Sequence, residues 1–125
     1  MPAPRRHTFP LAERLKSRKQ IDSLFRTGKS FSVFPLRVFY RWEGEALPRV
    51  GVSAPKRHFK RAVDRNRIKR LLREGYRLQK QTLLEAPSAP GLQVFIVYTG
   101  KELPTQHEML EKIGVVLRKL CDVRP

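Results

Sequence analysis

A periodic run from about residue 63 to 85, broken sharply at Ala86-Pro87-Ser88-Ala89-Pro90-Gly91, does most to limit what this chain can fold into. Ile68, Leu71, Leu72, Tyr76 and Leu83 recur near the helical period of about 3.6 residues. The run therefore predicts one long amphipathic helix whose apolar stripe turns towards a core. Gln79 interrupts the stripe, and Gly75 weakens the helix locally. The prolines and glycine that follow cannot continue a helix, so they form a loop. Leu92 to Tyr98 then reads as a nearly continuous apolar strand, central in its sheet.

The remaining elements arrange around this pair. Ser17-Arg18-Lys19-Gln20 fits a capping box, and Ile21, Leu24 and Phe25 follow at helical spacing up to Gly28, so a short helix is expected over 17–27. Phe31 to Phe34, Leu36 to Trp42 and Arg49 to Ala54 read as strands, with Pro35 at an edge or bend. The turn at Glu43-Gly44-Glu45-Ala46 suggests a hairpin over 36–54. In its first strand Leu36, Val38, Tyr40 and Trp42 share one face, and Arg37, Phe39 and Arg41 the other. Thr105-Gln106-His107-Glu108 caps a last helix with Met109, Ile113, Val116, Leu117 and Leu120 facing inward. The order is α-β-β-β-α-β-α. A chain of 125 residues suits one domain, here 14–125, preceded by a flexible basic arm over 1–13 with Pro2, Pro4, Arg5, Arg6 and Pro10.

Charge says what the domain meets. Lys plus Arg number 27 against 11 Asp plus Glu, a net charge of +16. So basic a domain repels itself when compact, a cost that a polyanionic partner offsets. Nucleic acid and an anionic membrane are the candidates, with an acidic protein a third. No run approaches the roughly 20 apolar residues that span a bilayer. The first ten residues lack the apolar segment of a secretory signal, and one cysteine, Cys121, allows no internal disulfide. A cytoplasmic protein without membrane association is expected.

The cations are focused. Lys56 to Lys80 holds eleven Lys or Arg residues, opposed by Asp64 and Glu74 alone. Like charges at helical spacing destabilise an isolated helix by about 0.2–0.5 kcal/mol per pair, so a purely structural helix would intersperse acids. Arg offers a planar fork for phosphate oxygens, Lys a mobile point charge, and Asn66 an amide for a base edge or 2′-hydroxyl. A solvated helix face is the plain alternative; the clustering and the total charge favour nucleic acid. The strand aromatics Phe31, Phe34, Phe39, Tyr40 and Trp42, beside Arg37 and Arg41, form either ordinary sheet core or a stacking surface for unpaired bases. His7, His58 and His107 lie at no metal-ligand spacing, and neither a glycine-rich phosphate loop nor a cluster of metal-binding acids is present in the sequence. No protein cofactor is expected.

Arg49-Val50-Gly51-Val52-Ser53, leading through a basic loop into Ala62-Val63-Asp64-Arg65-Asn66-Arg67-Ile68-Lys69-Arg70-Leu71-Leu72-Arg73-Glu74, closely resembles the signature of the bacterial ribonuclease P protein subunit. The resemblance runs from about 14 to 120, taking in Arg14-Leu15-Lys16, Phe25 and Val94-Phe95-Ile96. It implies an α+β, ribosomal-protein-S5-domain-2-like fold, with a four-stranded sheet and a left-handed β-α-β crossover, an unusual hand. It implies partnership with a large catalytic RNA that itself cleaves precursor tRNA to make the mature 5′ end, with magnesium held by that RNA and no obligate protein partner.

By the same resemblance, Arg65, Asn66, Arg67, Lys69, Arg70 and Arg73, with Lys56, Arg57 and Lys60 in the loop, contact the catalytic RNA. Ile21, Phe25 and Tyr40 match the cleft for the single-stranded 5′ leader. Ile21 departs from the aromatic common there, and Pro55 and the loop over 56–61 also depart from the family pattern. On the resemblance, catalysis belongs to the RNA and no catalytic protein side chain is expected. A ribosomal or general structured-RNA-binding protein without a catalytic link is the alternative that charge alone would allow.

Overall fold

The computed structural model describes residues 14–44 and 46–123, so the basic arm expected over 1–13 lies outside the described residues. Seven elements follow the expected order: α1 (Arg18–Thr27), β1 (Lys29–Val33), β2 (Leu36–Trp42), β3 (Arg49–Ser53), α2 (Ala62–Leu84), β4 (Leu92–Tyr98) and α3 (Gln106–Asp122). Both predicted caps form. The Ser17 hydroxyl accepts from the Gln20 amide at 3.3 Å, and the Thr105 hydroxyl from the Glu108 amide at 3.1 Å. Each meets one of the amides that a helix start leaves without a partner.

The sheet runs β1-β2-β4-β3. β1 and β2 form the antiparallel hairpin, turning at Phe34 and Pro35. The hairpin expected over 36–54 does not form, because β4 inserts between β2 and β3, antiparallel to the first and parallel to the second. β4 is apolar along nearly its whole length and buried at six of its seven positions, so it takes the centre, where both faces are covered. α2 is thus the crossover between the parallel pair β3 and β4.

The period of two along each strand divides the core. On one face Leu36, Val38, Val50, Val94 and Ile96 pack with Ile68, Leu72, Tyr76 and Leu83 of α2 and with Met109, Ile113, Val116, Leu117 and Leu120 of α3. On the other face Phe95 packs with Leu15 and with Leu24 of α1, flanked by Ile21, Phe39 and Val97. α2 runs unbroken through Gly75, and the missing side chain there lets α3 approach: a Cβ would sit 3.1 Å from Ile113 Cγ1. Gln79, polar within the stripe, donates to the Leu110 carbonyl at 2.8 Å and so joins the two helices.

The second face is closed by bonds from Arg41. It donates to Gln93 Oε1 at 2.9 Å, to Ser23 Oγ at 2.6 Å and to Thr27 Oγ1 at 3.1 Å, tying α1 to the sheet. At the free edge of β3, Arg14 bridges Val50 in parallel, and the Leu15 amide donates to the Val50 carbonyl at 3.1 Å. Gly51 makes that approach possible, since a Cβ there would lie 2.7 Å from the Leu15 carbonyl oxygen and from Phe95 Cδ2.

Candidate nucleic-acid interface

The outer face of α2 follows from its inner one. With Ile68, Leu72 and Tyr76 fully buried, Asn66, Arg67, Arg70 and Arg73 are exposed, and Lys69 is half-buried. Arg67, Arg70 and Arg73 succeed one another at i, i+3 and i+6, one cationic row with no acid among them. The row ends at Arg77, whose guanidinium pairs with Glu74. Lys80, counted with the outer cations on sequence alone, is 5% exposed and belongs to the interior. Eleven clustered cations therefore resolve into a shorter surface over residues 56–73.

The helix start adds to this potential. Arg61 is the N-cap and gives no side-chain cap, so the amide ends and the positive pole of the helix dipole adjoin a cationic loop. Lys56, Arg57 and Lys60 are exposed on that loop, which is anchored by Phe59, 6% exposed and packed on Tyr98 with ring centroids 5.8 Å apart. Arg65 has a part that the sequence did not suggest. Its Nη1 donates to the carbonyls of Phe59 and Lys60, each at 2.8 Å, so it clamps the loop to the helix.

The cleft lies under α1. Phe25 is 43% exposed, and its ring meets Phe39 edge-on with centroids 4.7 Å apart and Phe95 at 5.3 Å. Arg37 places its guanidinium carbon 5.3 Å from the Phe39 ring centre. With Arg57, His58, Val97 and Thr99, the side chains of Phe25, Phe39 and Arg37 line a depression of about 350 Å³. Ile21 lines a neighbouring one of about 240 Å³, with Gly51 and Phe95 in its floor and Arg14, Lys16, Lys69 and Arg73 around it. Lys69 and Arg73 of α2 thus reach the same depression as α1, which the sequence spacing alone did not reveal.

Tyr40 is not in this cleft. It lies on the opposite face of β2, packed against the main core, with Phe31 and Trp42 each 5.8 Å away between ring centres. Adjacent strand residues point to opposite faces, so Phe39 supplies the ring that meets Phe25. The alternation was legible in the sequence; which face would receive α1 was not. Of the other strand aromatics, Phe31 and Trp42 pack on the core with Tyr40, and Phe34 stands 74% exposed at the hairpin turn.

The family model described as Ribonuclease P matches residues 9–121. The chain belongs to the ribonuclease P protein family. A ribonuclease P protein component from Porphyromonas gingivalis is 46% identical over 104 residues, covering 78% of this chain and 76% of its own. One from Nitrosococcus oceani is 40% identical over 88 residues, covering 67% of this chain and 74% of its own. The fold matches the ribonuclease P protein from Thermotoga maritima with a TM-score of 0.73 at 24% identity, over 90% of this chain and 99% of that one. The Staphylococcus aureus protein matches with a TM-score of 0.71 at 22% identity, over 86% and 94%. As a ribonuclease P protein component, the chain is part of an endoribonuclease ribonucleoprotein of tRNA 5′ processing and works with that enzyme's RNA subunit. Among the described residues no helix is long and apolar enough to cross a membrane, and no group of three or more His, Cys, Asp or Glu could hold a metal ion.

Proposed function

We propose that the outer face of α2, with the loop before it, docks on the catalytic RNA, and that the cleft under α1 holds the single-stranded 5′ leader of precursor tRNA. The observation that carries this is the contrast of chemistry between adjoining surfaces. A convex row of Arg67, Arg70 and Arg73 suits the closely spaced phosphates of folded RNA. A concave pair of rings, Phe25 and Phe39, with Arg37 and Arg57 at the rim, suits unstacked bases on a flexible strand. Lys56, Arg57 and Lys60 extend the docking face, and Lys69 and Arg73 serve both surfaces. In this reading the leader passes from the side of α2 over Ile21 and Phe95 to Phe25. Phe39 takes the part that the resemblance suggested for Tyr40. The protein contributes binding and orientation, and magnesium is assigned no ligand on this chain.

The test is reconstitution with a bacterial catalytic RNA. The protein is expected to support cleavage of precursor tRNA at a magnesium concentration where the RNA alone is slow. It should also raise affinity for leader-bearing tRNA over mature tRNA. Equal affinity for the two tRNAs would remove the cleft reading, and no binding to the catalytic RNA would remove the docking face. A general structured-RNA binder would treat unrelated folded RNAs alike.

A further inference from the structure

Little apolar surface holds α1 to the sheet. Among its described residues only Leu24 is buried, packed with Leu15 and Phe95. A helix of 10 residues is shorter than the about 12–15 that are marginal alone in water. Its orientation therefore depends on what fastens it. One buried apolar side chain acts as a pivot: it fixes where α1 sits but not how far it rolls.

Arg41 supplies the second constraint. Besides its bonds to Gln93, Ser23 and Thr27, its Nη2 reaches the Gln20 carbonyl at 3.5 Å and the Glu43 carboxylate at 3.0 Å. A guanidinium has five N–H groups, and five acceptors surround this one. Gln20, Ser23 and Thr27 recur at i, i+3 and i+7, so the bonds follow one side of α1 from its first turn to its last. Ile21 and Phe25 form the other side, and the helical turn places Leu24 between the two.

Arg37 and Arg41 flank Phe39 on the same face of β2, yet they are used differently. Arg37 is exposed, with its guanidinium by the Phe39 ring. Arg41 is 16% exposed and lines neither the depression at Phe25 nor the one at Ile21. Its N–H groups meet protein acceptors, which leaves none for phosphate. In the ladder Arg41 pairs with Gln93, two residues along from Phe39 opposite Phe95. Those are the rings that Phe25 meets edge-on. Tether and cleft thus stand on the same two strands.

We propose that Arg41 is a positioning residue for the choice of precursor over mature tRNA. By fixing the roll of α1 about Leu24, it holds Ile21 and Phe25 over Phe39 and Phe95 at a spacing that admits a base. It touches no RNA itself. This rests on the cleft reading given above. Selectivity for leader-bearing tRNA then depends on the hydrogen-bond geometry of a residue outside the cleft, and not on its charge.

The test measures the affinities of the reconstituted holoenzyme for leader-bearing and mature tRNA at several salt concentrations. Arg41→Lys keeps the charge but brings its donors on a single nitrogen, so it cannot span the same acceptors. The ratio of the two affinities should fall about five-fold or more, the low end of one base–ring stack. The salt slope and the affinity for the catalytic RNA should stay as in wild type. Thr27→Val should lower the ratio in the same direction, and Thr27→Ser should keep it. A wild-type ratio in Arg41→Lys would overturn the inference. So would a salt slope reduced by about one unit in Arg41→Ala, the mark of a direct phosphate contact. If the Arg41 variants lose the catalytic RNA as well, the fold has failed and the Thr27 pair decides, equal ratios for Val and Ser refuting the positioning role. If Phe39→Ala lowers the ratio and Arg41→Lys does not, the cleft stands without this role. If Phe39→Ala leaves the ratio unchanged, the cleft reading falls and the inference with it.

Discussion

On the outer face of α2, solvent meets Asn66, Arg67, Arg70 and Arg73; in the cleft beneath α1 it meets Phe25 and Phe39 with Arg37 at the rim. The first surface is convex, carries a row of arginines with no acid among them, and stands on a helix whose start has no side-chain cap. The second is concave, and its rings contact one another edge-on. Long-range charge should therefore govern the first and desolvated stacking the second. Their response to salt separates them, because release of counterions scales with phosphates neutralised and stacking does not.

The largest expected effect tests the charged surface. Replacing Arg67, Arg70 and Arg73 together by Ala should weaken binding to the catalytic RNA roughly a thousand-fold at low salt, as three charge-assisted contacts of about 1.5 kcal/mol each would give. The slope of log affinity against log salt should also fall by about 2 to 3 units. Titration at several salt concentrations checks this, and an unchanged slope would break the contrast. Because Arg73 also lines the depression at Ile21, leader-bearing tRNA should lose more than mature tRNA.

Gly51→Ala comes next, since it strikes where both surfaces are supported. The added Cβ meets the Leu15 carbonyl and the Phe95 ring at 2.7 Å, so the segment at Leu15 or the floor of the cleft must move. Overpacking of this kind costs about 1–3 kcal/mol. Denaturant unfolding should show that loss, and a midpoint equal to wild type would mean that the edge at Leu15 yields freely.

Phe39→Ala and Tyr40→Ala sharpen the account of the cleft. Phe39→Ala should weaken leader-bearing tRNA against mature tRNA by about 1–3 kcal/mol, the range of one base–ring stack. Tyr40→Ala should cost stability and leave that ratio unchanged, as expected of a residue packed on the main core. The reverse pattern would return Tyr40 to the leader site.

The smallest effect separates two neighbouring arginines. Arg65→Ala removes the clamp on the Phe59 and Lys60 carbonyls, so the loop should exchange its amide hydrogens faster as well as bind RNA less well. Arg67→Ala should weaken RNA binding and leave loop exchange untouched. Equal exchange in the two variants would show that Phe59 alone holds the loop.

Much of this molecule was written locally in its sequence. The caps at Ser17 and Thr105, the breaker at 86–91, the stripe of α2 and the apolar run of β4 depend on neighbours within a few residues, and each emerged at or within a residue or two of its expected place. The arginine-asparagine-arginine block with its flanks likewise identified the family without coordinates. Tertiary structure decided what depends on partners distant in sequence. β4 displaced the apparent 36–54 hairpin because a strand buried on both sides must take the sheet's centre. Burial of Lys80, the loop clamp of Arg65 and the junction of Lys69 and Arg73 with Ile21 needed the packed chain. The same is true of Phe39 against Tyr40. The period of two puts them on opposite faces, but only the docking of α1, fastened by Arg41, decides which face becomes the cleft.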